Sequence, residues 1–215
     1  MKQKRKLPSK KAPRAMGKRF SQWLCSPENV CVPFEQQPFT ENLNWRIFRI
    51  MAEFIEGFEF LSKLKNEVTI FGSARAEPTS KHYKEARRLG YLLGKNGYAV
   101  ITGGGPGIME AANRGAFEAK GDSIGLDIEL PHAQRRNKYA MKAIGFHYFF
   151  TRKVMLSASA QAYIFFPGGF GTLDEMTELT ELIQTKKMQH VPIVLVGKEF
   201  WHGYLAWVRT AMLDV

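Results

Sequence analysis

Twice in this chain a short apolar run breaks directly into a glycine-rich turn and then into an amphipathic stretch. Tyr98–Ile101 runs into Gly103-Gly104-Gly105-Pro106-Gly107, and Ala162–Phe166 runs into Pro167-Gly168-Gly169-Phe170-Gly171-Thr172. Strand, tight turn and helix in that order form half of a crossover unit, so the pattern selects parallel strands joined by helices. The same alternation continues from Glu67 onward. Further strands are predicted at Val68–Phe71, Ser123–Leu126 and Ile193–Val196, with helices at 83–95, 108–120, 152–158, 173–185 and 204–213. Phe146–Phe150 is an aromatic run compatible with one more strand. The expected class is α/β, with a doubly wound parallel sheet.

A helix is expected ahead of that region. Thr40 can cap it, and Leu43, Ile47, Ile50, Met51, Phe54, Phe58, Leu61 and Leu64 recur at three- and four-residue spacing. Before it, Ser26–Pro38 carries three prolines and reads as a linker. The expected division is a basic tail and linker over 1–39, an N-terminal helix over 40–66 and a nucleotide-binding domain over 67–215.

The formal net charge of +11 resembles that of a nucleic-acid binder, but its location argues otherwise. Nine of those charges lie within residues 1–20, which hold no acid and no aromatic before Phe20. The rest of the chain is left at +2. A run of this kind is expected to be a disordered, solvated tail, with nucleic-acid contact the minority reading. It lacks the apolar stretch of a secretory signal, and no later segment has the build of a membrane span, so a cytoplasmic protein is expected. Cys25 and Cys31 are the only cysteines, too few for a four-cysteine zinc site, and no metal is expected.

A glycine turn that opens a helix aims backbone N–H groups and a positive helix end at one point, where an anion can sit. One such turn is weak evidence; two at the carboxyl ends of parallel strands lie on the edge where ligands bind. A dinucleotide site is the rival reading. The first loop matches that fingerprint only in part, since Ile108 stands where its third glycine or alanine belongs, while Asp127 lies where a ribose-binding acid would. A Walker loop is a poorer match still, because Gly90–Lys95 is one residue short between its glycines.

Around the loops stand Ser73 and Arg75 in the turn after the first strand, the pair Arg152-Lys153, and Glu175. Each has a bland alternative. Thr172-Leu173-Asp174-Glu175 fits a helix capping box as well as it fits a catalytic acid placed in the first turn after the second loop. Arg152 and Lys153 at a helix start are unfavourable unless something negative lies near, yet they also read as an exposed basic pair.

Three strings together resemble a known family: Gly103-Gly104-Gly105-Pro106-Gly107-Ile108-Met109, Arg152-Lys153, and Pro167-Gly168-Gly169-Phe170-Gly171-Thr172-Leu173-Asp174-Glu175. They look like the LOG ("lonely guy") family of cytokinin-activating phosphoribohydrolases, long mislabelled as lysine decarboxylases, and the long first helix is similar to the larger bacterial branch. The resemblance covers Val68 to about Trp207. It implies a Rossmann-like fold, a homo-oligomer of at least two subunits, and hydrolysis of AMP or an N6-modified AMP to free base and ribose 5-phosphate, without a cofactor. It also implies that Arg152 and Glu175 are the catalytic pair. Substrate contacts are implied at Ser73, Gly104, Gly105, Gly107, Met109, Lys153, Gly168, Gly169, Gly171 and Thr172. One position departs from the family: Ala133 stands after Leu130-Pro131-His132, where relatives carry a glutamate that contacts substrate. The second hypothesis is a non-catalytic nucleotide or cofactor carrier of the same fold, since fold alone does not settle function. Decarboxylation through pyridoxal phosphate is disfavoured, because no lysine stands in a context suited to a Schiff base.

Overall fold

A computed structural model describes residues 43–129 and 136–213 of the chain. The basic tail, the linker, Thr40, both cysteines and Ala133 lie outside the described residues. The elements run α1 (Leu43–Ser62), β1 (Glu67–Phe71), α2 (Lys81–Lys95), β2 (Ala99–Thr102), α3 (Ile108–Glu118), β3 (Ser123–Ile128), β4 (Lys142–Phe146), α4 (Phe149–Ser157), β5 (Ala162–Phe165), α5 (Phe170–Gln184), β6 (Ile193–Leu195) and α6 (Lys198–Val208). A π-helical turn, Arg209–Leu213, follows α6. Among the described residues no helix is long and apolar enough to cross a membrane.

The six strands form one all-parallel sheet in the order β4-β3-β2-β1-β5-β6. From β1 the chain steps outward through β2, β3 and β4, then returns to the other side of β1 for β5 and β6. The direction of winding therefore reverses between β1 and β5, and the crevice at the carboxyl ends of those two strands is the switch point of a doubly wound sheet.

Alternation along each strand divides the apolar residues between the two faces of the sheet. Val68, Ile70, Val100, Ile164 and Phe166 join Tyr83, Ala86, Ile108, Ala112 and Ala116 of α2 and α3 in one core. Phe71, Ile101, Ile124, Leu126, Tyr163 and Phe165 join Met155, Leu156, Met176, Leu179 and Trp201 in the other. At roughly 1.5–3 kcal/mol for each fully buried large apolar side chain, these two layers are what hold the sheet edge in place for the loops above it.

Several boundaries differ from the sequence reading, three of them away from the glycine loops. Helix α2 begins two residues earlier than predicted because the Ser80 hydroxyl accepts the backbone N–H of Tyr83 and caps it. The run Phe146–Phe150 is not a strand of its own: β4 precedes it and ends at Phe146, and Phe149 and Phe150 open α4. Helix α6 begins at Lys198, six residues before the predicted span, from a left-handed Gly197.

Candidate active site

Both glycine loops stand on the same sheet edge, on either side of the turn that follows β1. Ser73 in that turn donates its N–H to Pro167 O of the second loop at 3.0 Å, and its own carbonyl accepts the N–H of Ile108, the first residue of α3, at 3.0 Å. Gly107 makes that approach feasible. It holds a φ of 71° as the N-cap of α3, and a Cβ there would run into the backbone of Ser73 and Ala74. The Ser73 hydroxyl accepts from Arg75 N at 3.1 Å.

The first loop is held from beneath by a buried polar network that sequence reasoning missed. Thr102 donates to Asn113 Oδ1 at 2.6 Å and accepts from Gly104 N at 3.0 Å. The Asn113 amide reaches Ser123 Oγ and Ile124 O. The Asn137 amide lies 3.0 Å from Gly104 O, 3.1 Å from Gly105 O and 3.0 Å from Asn113 Oδ1. The available signal was Asn113 itself, a polar residue among Ala111, Ala112, Gly115 and Ala116 on the buried side of α3.

Above this network the charged groups converge. Arg152, from the first turn of α4, donates Nε to Leu126 O at 2.7 Å and Nη2 to Gly103 O at 3.4 Å. Burial pushes its guanidinium below the usual arginine range, opposed by the charges of Glu175 and Asp127. Burial likewise pushes Glu175 up to about 7, with Arg152 pulling the other way and Glu178 adding to the rise. Glu175 Oε2 and Asp127 Oδ1 are buried and accept no hydrogen bond from the described residues, while Asp127 Oδ2 pairs with Arg136. Asp127 is packed against Gly104, whose φ is 70° and where a Cβ would overlap Asp127 Oδ1. Arg152 thus feels the charge of two carboxylates, one of them packed on the first glycine loop.

The other expected site residues divide. Gly104, Gly105 and Gly107 lie buried in the first loop, and Met109 Sδ sits beside Gly103. In the second loop Gly168 packs on the Thr172 side chain, whereas Gly169 and Gly171 face open space. Lys153 turns from the loops toward α5, with Nζ 2.9 Å from Asp174 and 3.5 Å from Glu178. Two sequence expectations fail. Thr172 caps nothing, because α5 starts at Phe170 with Gly169 as its N-cap and no side-chain cap bond, so Thr172-x-x-Glu175 is not a capping box and Glu175 falls in the second turn. Arg152 and Lys153 do not start a helix either, since α4 begins three residues earlier at Phe149.

A family model described as "Possible lysine decarboxylase" matches residues 109–215. The chain is 25% identical over 150 residues to the "Probable cytokinin riboside 5'-monophosphate phosphoribohydrolase" of Oryza sativa subsp. japonica, covering 67% of this chain and 60% of that protein. It is 22% identical over 152 residues to the cytokinin riboside 5'-monophosphate phosphoribohydrolase of Rhodococcoides fascians, covering 68% and 76%. Among solved structures, the Moco carrier protein of Chlamydomonas is similar in fold, with a TM-score of 0.52 at 20% identity over 70% of this chain and 86% of that one.

Proposed function

This chain belongs to the LOG family, and from that premise we propose that it hydrolyses the N-glycosidic bond of AMP or an N6-substituted AMP, giving free base and ribose 5-phosphate. One observation supports this most: a half-buried Arg152 and a half-buried, protonation-poised Glu175 act on each other beside two glycine loops that meet at the switch point of the sheet.

In this reading the 5′-phosphate lies on the loop N–H groups and the starts of α3 and α5, where the helix ends favour an anion. Gly169 and Gly171, open on their free sides, leave room for it. Binding energy from that non-reacting group fixes the ribose over Glu175. The C1′–N9 bond lengthens, its electron pair leaves with the base, and positive charge grows on the ribose ring as in other glycoside cleavages. The Glu175 carboxylate faces that charge, orients a water toward C1′ and takes its proton; the departing nitrogen gains a proton in turn. Arg152 pairs with a phosphate or sugar oxygen. A carboxyl held near 7 is matched to proton transfer at neutral pH, a contribution of about 10²- to 10⁴-fold. The substrate contacts proposed are Ser73, Gly104, Gly105, Gly107, Met109, Gly168, Gly169, Gly171 and Thr172. Lys153 enters only as the partner of Asp174 and Glu178 beside the acid.

An assembly of at least two copies belongs to the same reading. Phe48, Met51, Ile55 and Phe58 repeat at heptad-like spacing on the outer face of α1 and are all exposed, a stripe suited to a second copy. Light scattering is expected to give at least twice the 24.5 kDa chain mass.

The test is a panel of nucleoside 5′-monophosphates and their unphosphorylated nucleosides, incubated with the protein and resolved by chromatography. Base is expected from the monophosphates and not from the nucleosides. Intact nucleotide retained by the protein would favour the carrier instead.

A further inference from the structure

Helix α4 delivers Arg152, yet nothing in its own sequence secures its start. Its first turn holds no acid, its N-cap Tyr148 makes no side-chain cap bond, and Arg152 and Lys153 place two cations near its positive end. The negative charge comes from α1. Glu53, only 8% exposed, accepts the N–H of His147 on Oε1 at 2.9 Å. Its Oε2 accepts the N–H of Tyr148 at 3.3 Å and the hydroxyl of the buried Thr151 at 2.5 Å. One turn along α1, Gly57 lies directly against Met155 of α4. The contact joins residues 94 positions apart in sequence, so no local pattern could announce it.

We infer that Glu53 is a positioning residue for Arg152, a carboxylate lent by the N-terminal helix that seats the helix carrying the guanidinium. The inference rests on the function proposed above, since seating Arg152 matters to catalysis only if Arg152 meets the substrate. Two features separate positioning from general support. Among the described residues the guanidinium donates hydrogen bonds to two carbonyls, Leu126 O and Gly103 O, so a small shift of α4 detaches it. Apart from Gly103 O, the glycine loops hang on Ser73, Asn113 and Asn137, whose bonds do not pass through α4. Losing the Glu53 carboxylate therefore moves Arg152 and leaves the backbone of the phosphate cradle in place.

The test uses the full chain as Glu53→Gln, which keeps the shape and one acceptor oxygen but not the charge, with Thr151→Val as a second variant that removes one of the three donors. In Glu53→Gln, kcat for base release is expected to fall about tenfold to 10²-fold, and affinity for ribose 5-phosphate, to which Arg152 lends one contact among many, to fall by a clearly smaller factor. Hydrogen exchange at the His147 and Tyr148 amides is expected to quicken, and Thr151→Val to show a smaller loss of kcat in the same direction. Unchanged kcat in both variants overturns the inference, as does a loss of kcat matched by an equal loss of ribose 5-phosphate affinity. A wild-type chain that releases no base overturns the proposed function instead; the seating of α4 is then judged on exchange alone, where unaltered exchange in Glu53→Gln overturns it.

Discussion

Glu175 carries a cost that its neighbours do not remove. Its carboxyl ordinarily titrates at 4.5 and is pushed up to about 7 by burial, so between those pH values the folded chain holds a proton that the unfolded chain has released. Stability is therefore expected to fall as pH rises from about 4.5 to about 7 and to stay lower above it. Glu175→Gln, which cannot ionise, is expected to gain up to about 3 kcal/mol at pH 8 and almost nothing at pH 4, read as thermal melts at the two values. The same residue gives the proposed activity its pH dependence. Base release requires the ionised carboxylate, so kcat is expected to climb through about pH 7, and a profile flat from pH 5 to 9 would remove Glu175 from the chemistry. Gly104 makes a steric prediction. A methyl group there meets Asp127 Oδ1 on a backbone held at a φ of 70°, so Gly104→Ala is expected to cost about 1–3 kcal/mol and to lower the melting temperature.

At the scale of elements, the glycine loops differ in how they are supported. The first rests on Thr102, Asn113, Ser123 and Asn137, a closed set of buried hydrogen bonds. Asn137→Ala leaves Gly104 O and Gly105 O without that donor and is expected to cost about 1–3 kcal/mol. It should also weaken binding of ribose 5-phosphate by more than the Glu53 variant does, and titration calorimetry distinguishes the two. These elements also mark where the sequence was legible. Strands and glycine loops were readable because apolar runs and glycines report on their own backbone. The start of α4 was not, because its capping charge lies on α1, and Phe146–Phe150 therefore kept the look of a strand. The second loop misled for a related reason: Thr172 and Glu175 have capping-box spacing, but Gly169 opens the helix three residues sooner. Asn137 offered no pattern at all, since its distant partners come from α3 and the loop before it.

At the scale of the whole molecule, function follows from the strand order. With β2, β1 and β5 adjacent, one short turn at Ser73 ties both glycine loops together, and the reversal of winding beside β1 opens the crevice they share. Two apolar layers, one on each face of the sheet, fix that edge, and α4 and α5 bring Arg152 and Glu175 to it. The net charge of +11 has no part in this design, because nearly all of it lies in residues 1–20. Deleting those residues is accordingly expected to leave base release from AMP unchanged. The central claim is that the crevice breaks a nucleotide rather than only holding one. Its most direct measurement is the yield of adenine and ribose 5-phosphate from AMP, with wild-type protein and with Glu175→Gln side by side. The account predicts the two products in equal amounts from the wild type, and a rate lower by about 10² or more in the variant, which still binds ribose 5-phosphate. AMP recovered intact from the wild type, or adenine released at an equal rate by the variant, would contradict it.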